Sequence, residues 1–332
     1  MHRTPPGNAG QDATHWKAPD LHGKVALVAG ATRGAGRGIA TALGEAGATV
    51  YCTGRSTRES RSPMDRPETI EETADLATSA GGTGIAVRVD HTQDLEVKAL
   101  MARIQEEHGG LDLLVNDIWG GDAGITWGKR FWDIDMDAAW RVVDNAIRTH
   151  LITAHRAAPL LMARKGLLVE ITDGDHYAYR GHLIYDLVKT SILRLAYTMN
   201  HELARQGATA VAVVPGFLRS EAMLDLFGVK ETNWRDAVKT SPHFIASETP
   251  LFVGRAVAAL AAEQQHQARG GRVYSSWSLS DEYGFPDADG QRPHWGRYFA
   301  KEFGADEQRV LDDGFYRYWK PMEALDDVVP PS

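Results

Sequence analysis

The sequence predicts an α/β protein, built on a doubly wound parallel sheet of seven strands with helices on both faces. Seven short apolar runs, several rich in β-branched residues, alternate with segments of helical length. The alternation continues from residue 24 to residue 276 without a linker-like break, and a Gly-rich turn follows the first run. Strands that alternate with helices form crossover units whose strands run parallel. We therefore predict a single catalytic domain over residues 21–279.

The strands can be placed in order along the chain. Uninterrupted apolar runs are typical of parallel strands that are buried on both faces. The predicted strands are 24–29, 48–53, 84–89, 111–116, 166–172, 208–214 and 271–276. Between them, the predicted helical segments are 37–46, 67–80, 93–108, 136–164, 184–206 and 249–264.

Three segments exceed what the sheet requires. Residues 1–20 are rich in Pro, Gly and polar residues, which predicts a flexible N-terminal arm. Residues 220–248 are amphipathic and follow the sixth strand, where we expect a substrate lid. Residues 280–332 are rich in aromatic side chains, so we expect this C-terminal extension to pack on the domain or on a neighbouring subunit.

The composition argues against two classes of partner and excludes two kinds of cysteine site. The 332 residues include 36 basic and 44 acidic side chains, a net charge of −8, which argues against nucleic acid and anionic membranes. Cys52 is the single cysteine, so an intramolecular disulfide and a four-cysteine zinc site are excluded. With neither a signal-peptide pattern nor an apolar run of about 20 residues, we expect a soluble cytoplasmic protein.

The Gly-rich turn predicts a dinucleotide site of the Rossmann type. The string VAGATRGAG (28–36) places Gly30, Gly34 and Gly36 between the first strand and the first helix. Glycines there allow a pyrophosphate to approach the N–H groups of the helix N-terminus. The alternative is a tight turn only, but its place after a buried strand favours cofactor binding. We expect Thr32, Arg33 and Ala35 to take part.

The residues after the second strand favour NADP(H) over NAD(H). An acidic residue there would bind the adenosine ribose hydroxyl, whereas the chain reads YCTGRSTR (51–58). Arg55 and Arg33 can bind a 2′-phosphate through their guanidinium groups, and Ser56 lies beside Arg55. The alternative is that both arginines are solvated surface charges. This is plausible for one arginine but less so for both. Further cofactor contacts are expected where the third and fourth strands end, at Asp90, His91 and Asn116.

Taken together and in order, these motifs resemble the short-chain dehydrogenase/reductase (SDR) family over residues 21–279. The chain is similar to the dehydrogenase/reductase SDR family member 1-like branch, on the strings VYCTGR, FWDIDMDAAW, SETPLFVGRAVAAL and EYGFPDADG. The resemblance implies a strand order of 3-2-1-4-5-6-7. It implies that Asp90 contacts the adenine, that Asn116 lies along the cofactor, and that Pro215, Gly216 and Phe217 approach the nicotinamide.

The chain departs from the family pattern in three places. The usual Asn-Asn-Ala-Gly after the fourth strand reads Asn-Asp-Ile-Trp-Gly (116–120). The usual catalytic asparagine falls at Ala146, with Asn145 one residue away. The usual catalytic serine falls at Asp173 or Thr172.

Tyr185 and Lys189 are predicted to carry proton transfer. A tyrosine has a pKa of about 10 and needs its anion stabilised to act near neutral pH. Lys189 lies one helical turn on, so its cation can lower that pKa, and it can also bind the nicotinamide ribose. The alternative is that Tyr185 and Lys189 are an ordinary pair on the surface of a helix, without a catalytic role. Within the whole pattern we predict Tyr185 as the general acid and Lys189 as its partner.

Thr172 and Asp173 are alternative replacements for the serine. The Thr172 hydroxyl can donate a hydrogen bond to a substrate oxygen. An ionised Asp173 would raise the pKa of Tyr185 and repel an alkoxide, but it would stabilise an iminium ion. This motivates the hypothesis of an imine reductase, or of a substrate that bears an amine. In the alternative reading Asp173 only caps a helical turn.

The substrate pocket is expected to be aromatic, with Trp119, His176 and Tyr179 as substrate-binding residues. No metal site is predicted. The sequence thus predicts an NADPH-dependent oxidoreductase, a ketoreductase acting on C=O or C=N groups of a small molecule, as a homo-oligomer, either a dimer or a tetramer. Two alternatives remain open: a non-catalytic NADP(H)-binding protein, and an isomerase or dehydratase on the same fold.

Overall fold

A computed structural model of the chain describes residues 16–61, 64–174 and 179–303. Seven parallel strands form one sheet in the order β3-β2-β1-β4-β5-β6-β7, as predicted. Every predicted strand is present, and each end lies within two residues of its predicted position. The strands are β1 Val25–Ala29, β2 Thr49–Gly54, β3 Thr83–Arg88, β4 Leu113–Asn116, β5 Leu167–Ile171, β6 Thr209–Val214 and β7 Val273–Ser275.

The helices cover both faces of this sheet. Their bounds are α1 Gly34–Glu45, α2 Ile70–Ser79, α3 Asp94–His108, α4 Met136–Val143, α5 Thr149–Arg164, α6 Leu183–Leu203, α7 Glu221–Leu226, α8 Pro250–Ala262, α9 Ser276–Tyr283 and α10 Trp295–Phe303. A π-helical turn, Asp144–Arg148, joins α4 to α5. The predicted helix 136–164 is therefore continuous but contains a wider turn at its middle.

The core consists of two apolar layers, one on each face of the sheet. All residues of β1, β4, β5 and β6 are buried. In β1, Val28 points into the layer shared with α1 and α8, whereas Leu27 points into the layer shared with α3 and α5. Each such buried side chain stabilises the fold by about 1.5–3 kcal/mol. Because side chains alternate along a strand, one apolar run supplies both layers.

Local signals set several helix ends. Thr69 and Glu72 form a reciprocal capping box at the start of α2. Gly109 ends α3 in the left-handed conformation, with φ 72°. These signals fix where the loops leave the helices.

The segments outside the sheet are packed where they are described. Trp16 contacts Phe285 edge-on at 6.3 Å between ring centroids, and Arg255 lies 4.6 Å over its ring. The end of the predicted 1–20 arm therefore packs on the domain, and residues 1–15 lie outside the described residues. The segment 220–248 contains α7 and two 3-10 helices, Glu231–Lys239 and Pro242–Ala246. Within the described residues, no helix is long and apolar enough to span a membrane.

Candidate active site

A cleft of about 1210 Å³ runs along the carboxyl ends of the strands. This volume exceeds the roughly 300–1,000 Å³ that holds a single small ligand, so a cofactor and a substrate can occupy it together. Most residues predicted from the sequence line this cleft, namely Gly30, Thr32, Arg33, Gly34, Ala35, Arg55, Ser56, Asp90, His91, Trp119, Thr172, Asp173, Tyr185, Lys189, Pro215, Gly216 and Phe217.

Three other predicted residues that the structure describes are not among those that line the cleft. Tyr179 is 68% exposed, and the next residue, Arg180, donates hydrogen bonds to Asp186. Asn116 is buried below the cleft and donates to Glu170 at 2.9 Å, so its side chain does not line the path predicted for the cofactor. Gly36 also lies below the surface, and the predicted His176 falls outside the described residues.

The Gly-rich turn is pressed against the end of β4, which explains two of its glycines. Gly30 has φ +91°, and a Cβ there would lie 2.3 Å from the Asp117 carbonyl oxygen. A Cβ on Gly36 would lie 2.3 Å from the Gly30 carbonyl oxygen and 3.0 Å from the Asp117 carboxylate. A larger residue at either position would push the turn away from the sheet. The glycines therefore hold the N-terminus of α1 open to the cleft.

Two arginines, Arg33 and Arg55, line the end of the cleft beside the Gly-rich turn. Arg33 lies with its Nε 3.3 Å from the Glu68 carboxylate. Its Nη2 atom is buried and has no hydrogen-bond partner among the described residues, and burial lowers the pKa of the guanidinium. Arg66 holds Glu68 from the other side at 2.6 Å. Buried guanidinium donors without a partner suit an anionic ligand.

His91 supports this end from inside. Its two ring nitrogens lie 2.9 Å from the Thr53 hydroxyl and 2.8 Å from the Thr153 hydroxyl. Burial lowers the pKa of His91 to about 3, so the ring is neutral. The neighbouring Asp90 accepts hydrogen bonds from the main chain and the hydroxyl of Thr92. His91 thus fixes the loop that presents Asp90 to the cleft.

Tyr185 donates a hydrogen bond of 2.7 Å to the Asp173 carboxylate. Burial, the Asp173 charge and this hydrogen bond together raise the pKa of Tyr185 well above its ordinary value. The phenol is therefore firmly protonated in the free protein. A protonated tyrosine is suited to donate a proton, which corresponds to the reductive direction.

Lys189 is buried beside this pair. Its ammonium lies 4.2 Å from the centroid of the Trp119 ring and 5.5 Å from that of Tyr185. Burial lowers the pKa of Lys189, and the carboxylates of Asp173 and Asp117 oppose that effect. The Trp119 ring also packs edge-on against Tyr185 at 5.8 Å. Trp119, in the loop after β4, thus packs its ring against both predicted catalytic groups.

The Thr172 hydroxyl is engaged by the main chain. It donates a 2.8 Å hydrogen bond to the carbonyl oxygen of Lys189, while its own N–H donates to Val213. Thr172 therefore joins β5 to α6 at the level of Lys189. Of the two alternatives for the serine position, it is Asp173 that contacts Tyr185.

The π-helical turn brings an amide into the cleft. Asn145 lies in this turn, lines the cleft and donates to the Gly120 carbonyl oxygen at 3.3 Å, whereas Ala146 is buried in the core. A π turn contains one residue more than an α turn. Of the two residues considered for the usual asparagine, Ala146 and Asn145, it is therefore Asn145 that reaches the cleft.

A buried acid–base pair lies below the catalytic groups. Glu170 and His150 form a short hydrogen bond, and the other ring nitrogen of His150 donates to the Ile118 carbonyl oxygen at 3.0 Å. Because a carbonyl oxygen only accepts, that nitrogen carries a proton, and a second proton is shared with Glu170. Through the Ile118 carbonyl oxygen, the pair fixes the main chain between Asp117 and Trp119. Burial raises the pKa of Asp117 to about 7.

The far end of the cleft is supported by a second buried carboxyl group. Glu248 accepts hydrogen bonds from the Gly216 N–H at 2.9 Å and the Ser276 hydroxyl at 2.6 Å. Burial raises the pKa of Glu248 to about 8.

Glu221, at the start of α7, accepts a hydrogen bond of 2.8 Å from the Gly34 N–H. A carboxylate of the predicted lid therefore occupies the N-terminus of α1.

Sequence reasoning missed several residues of this site. Arg66, Glu221 and Asn145 carried weak signals, because each is a common polar residue in a segment predicted as a loop, a lid or a helix. Trp295 and Phe299 of α10 also line the cleft, and their signal was the aromatic run HWGRYF (294–299). No group of three or more potential metal ligands was found among the described residues.

Comparison with known proteins gives consistent matches. The sequence model of a family described as enoyl-(acyl carrier protein) reductase matches residues 30–275. The chain is 35% identical over 278 residues to dehydrogenase/reductase SDR family member 1 of Mus musculus, covering 82% of this chain and 85% of that protein. The protein of the same name from Homo sapiens is 33% identical over 280 residues, with 82% and 86% covered.

Solved structures share the fold. A short-chain dehydrogenase from Mycobacterium thermoresistibile superposes with a TM-score of 0.68 at 20% identity, covering 83% of this chain and 93% of that one. A dehydrogenase, described as putative, from Xanthomonas campestris gives a TM-score of 0.68 at 22% identity, with 89% and 97% covered. At these identities the similarity shows the fold alone.

Proposed function

The chain belongs to the short-chain dehydrogenase/reductase family, an oxidoreductase family that uses a nicotinamide cofactor, and we propose that it is an NADPH-dependent reductase of C=O or C=N groups in small organic molecules. The observation that carries this proposal is the pair of Tyr185 and Lys189. Both side chains face one cleft that continues to the Gly-rich turn. The cleft therefore joins a proton donor to a dinucleotide site.

NADP(H) is proposed as the cofactor because two arginines line the end of the cleft beside the Gly-rich turn. The buried Nη2 atom of Arg33, which has no hydrogen-bond partner among the described residues, suits an oxygen of a 2′-phosphate, and Arg55 lines the same end. Glu68, held by Arg66, orients Arg33. The Gly34 and Ala35 N–H groups at the start of α1 would hold the pyrophosphate once Glu221 has moved.

In this proposal Tyr185 is the general acid and Lys189 its electrostatic partner. Bound NADPH supplies a hydride to the substrate carbon. Tyr185 gives its hydroxyl proton to the carbonyl oxygen, and the phenolate that remains regains a proton from solvent. The Lys189 cation stabilises that phenolate, because opposite charges favour ionisation of a neighbouring group. The Thr172 hydroxyl positions Lys189 by donating a hydrogen bond to the Lys189 carbonyl oxygen. The Asn145 side chain holds the loop after β4 by donating to the Gly120 carbonyl oxygen.

A second candidate, an iminium reductase, is favoured by the hydrogen bond between Tyr185 and Asp173. The tyrosine has one proton, and in the free protein that proton points to Asp173 rather than to the substrate. A neutral ketone must compete for it. An iminium ion already carries its proton, so its reduction needs only the hydride, and a carboxylate beside it stabilises its charge. Asp173 therefore distinguishes the two substrate classes.

The remaining expectations stay proposals. Segment 220–248 acts as a lid, since α7 reaches the Gly-rich turn through Glu221. Homo-oligomerisation is proposed through the long helices, because Leu151 on α5 and Leu187 on α6 are exposed. Neither nucleic acid nor membrane is proposed as a partner, and a cytoplasmic location remains a prediction from the single buried cysteine.

The experiment that tests this function is NADPH consumption against a panel of ketones, aldehydes and cyclic imines. We expect turnover with at least one class and a strong preference for NADPH over NADH. Binding of NADPH without turnover would favour the non-catalytic alternative. Product formation with only catalytic amounts of cofactor would favour an isomerase or a dehydratase.

A further inference from the structure

The C-terminal extension contributes a wall to the reaction cleft. Trp295 and Phe299, one helical turn apart on α10, both line the cleft. They lie beyond residue 275, where the family match ends. This wall therefore lies outside the residues that the family model matches.

The helix α10 is fixed to the segment that approaches the reacting centre. A Cβ on Gly216 would lie 2.9 Å from the Cβ of Trp295, so the glycine allows the tryptophan to pack directly on it. The rings of Trp295 and Phe217 meet edge-on at 5.8 Å. The wall thus stands next to the Pro-Gly segment rather than at the mouth of the cleft.

The same helix is tied to the predicted lid. The Tyr298 hydroxyl lies 3.0 Å from the Nδ1 of His243, in the segment 220–248. On its other side, Arg297 and His294 both pair with Asp281 of α9. Two independent attachments hold α10 in place, so the positions of Trp295 and Phe299 are set by the fold.

The chemistry of this wall differs from that of the reacting centre. Asp173 is polar and follows β5, and the polar residues Tyr185 and Lys189 lie on α6. The part of the lining that α10 shares with the Pro-Gly segment and the predicted lid presents flat or flexible apolar groups, namely Phe217, Leu218, Met223, Leu226, Trp295 and Phe299. Aromatic rings pack well on other rings in edge-on or offset geometry. A ligand that spans the cleft therefore needs a polar reacting group at one end and an apolar face at the other.

We propose that Trp295 and Phe299 are specificity-determining residues, and that the substrate carries a flat apolar ring beside the C=O or C=N group that is reduced. This inference rests on the proposed function for the identity of the reacting group. The ring lies against α10 while the reacting group meets Tyr185. Small aliphatic carbonyl compounds leave the wall uncovered and bind weakly.

Trp295→Ala is the principal test. The probes are 4-phenyl-2-butanone, which has a ring, and 2-butanone, which lacks it. We expect the ratio of their kcat/KM values to fall by about 10- to 100-fold in the variant, mostly through KM, as for the loss of a well-packed apolar group. Phe299→Ala should act in the same direction, and Trp295→Phe should restore part of the preference. Trp132→Ala is the matched control, because Trp132 is 68% exposed and lies outside the cleft.

Equilibrium binding separates this inference from the proposed function. Both ketones are also titrated against the complex of the protein with NADP⁺, with ligand-observed NMR as the readout. If the wild type prefers the phenyl compound and Trp295→Ala removes that preference, the inference is supported. Absence of reduction of both ketones would count against the proposed function but not against the inference. An equal change for both ketones, or a phenyl preference that survives in Trp295→Ala and Phe299→Ala, overturns the inference whether or not turnover occurs.

Discussion

Replacement of Asp173 should change which substrates are reduced rather than abolish activity. In the free protein its carboxylate accepts the only proton of the Tyr185 hydroxyl at 2.7 Å. The variant Asp173→Asn keeps the shape but removes the charge, and Asp173→Ser supplies the hydroxyl usual at this position. Both should free the tyrosine proton for a neutral carbonyl oxygen.

The magnitude follows from the hydrogen bond that must be broken. Hydrogen bonds to charged groups contribute about 1.5–3 kcal/mol. A barrier lower by about 1.4 kcal/mol gives a tenfold faster reaction. Turnover of a neutral ketone should therefore rise by about 10- to 150-fold in either variant. A cyclic iminium substrate loses a stabilising carboxylate, so its kcat/KM should fall by about tenfold or more.

The assay compares kcat/KM for a ketone and a cyclic imine in the wild type and both variants, with NADPH held at saturation. The pH profile gives a second readout, because the pKa of Tyr185 should fall when the neighbouring charge is removed. Asp122→Asn serves as a control carboxylate that lines the cleft without bonding Tyr185. An equal loss for ketone and imine in both variants would refute the reasoning, since it would mean that Asp173 serves only the local fold.

Four other changes have expected outcomes. Arg33→Ala should weaken NADPH binding about 10- to 100-fold and leave NADH binding unchanged in calorimetry, whereas the distant Arg103→Ala should alter neither; equal weakening of both cofactors would contradict the 2′-phosphate role. Lys189→Met should lower kcat by about 100-fold or more, and Lys189→Arg should recover part of it; an unchanged kcat in a folded Lys189→Met would argue against its role. Glu221→Gln should tighten NADPH binding about two- to fivefold, because the carboxylate competes for the N-terminus of α1, and weaker binding would contradict this. The pKa of Asp117 is raised from 3.8 to about 7, so its ionised form destabilises the folded state; unfolding free energy should fall between pH 4 and pH 7 by at most about 4 kcal/mol, and urea titrations of Asp117→Asn should lack that part of the slope.

The fold could be predicted from the sequence because its signals are local and repeated. Each strand is an apolar run, and each crossover is long enough for a helix. The strand order came from the resemblance, since no pattern within a single strand specifies its neighbours. The lining of the cleft beside the Gly-rich turn could be predicted for the same reason, because this turn and Arg33 lie on the first crossover.

The substrate side was less predictable because it depends on packing between distant segments. Tyr179 and Trp295 are both aromatic residues in regions without a clear pattern, yet only Trp295 lines the cleft. The choice between Thr172 and Asp173 required the direction of each side chain, since alternate residues at a strand end point to opposite sides. The π turn that contains Asn145 could not be predicted, because it adds a residue without any change in helical composition.

The most direct test is transfer of label to product from NADPH that carries deuterium at both C4 positions, measured by mass spectrometry across ketones, aldehydes and cyclic imines. The account predicts that one deuterium appears on the former C=O or C=N carbon for at least one class. It also predicts that NADH supports the reaction far less well. A protein that binds NADPH but yields no deuterated product with any member of the panel would contradict it.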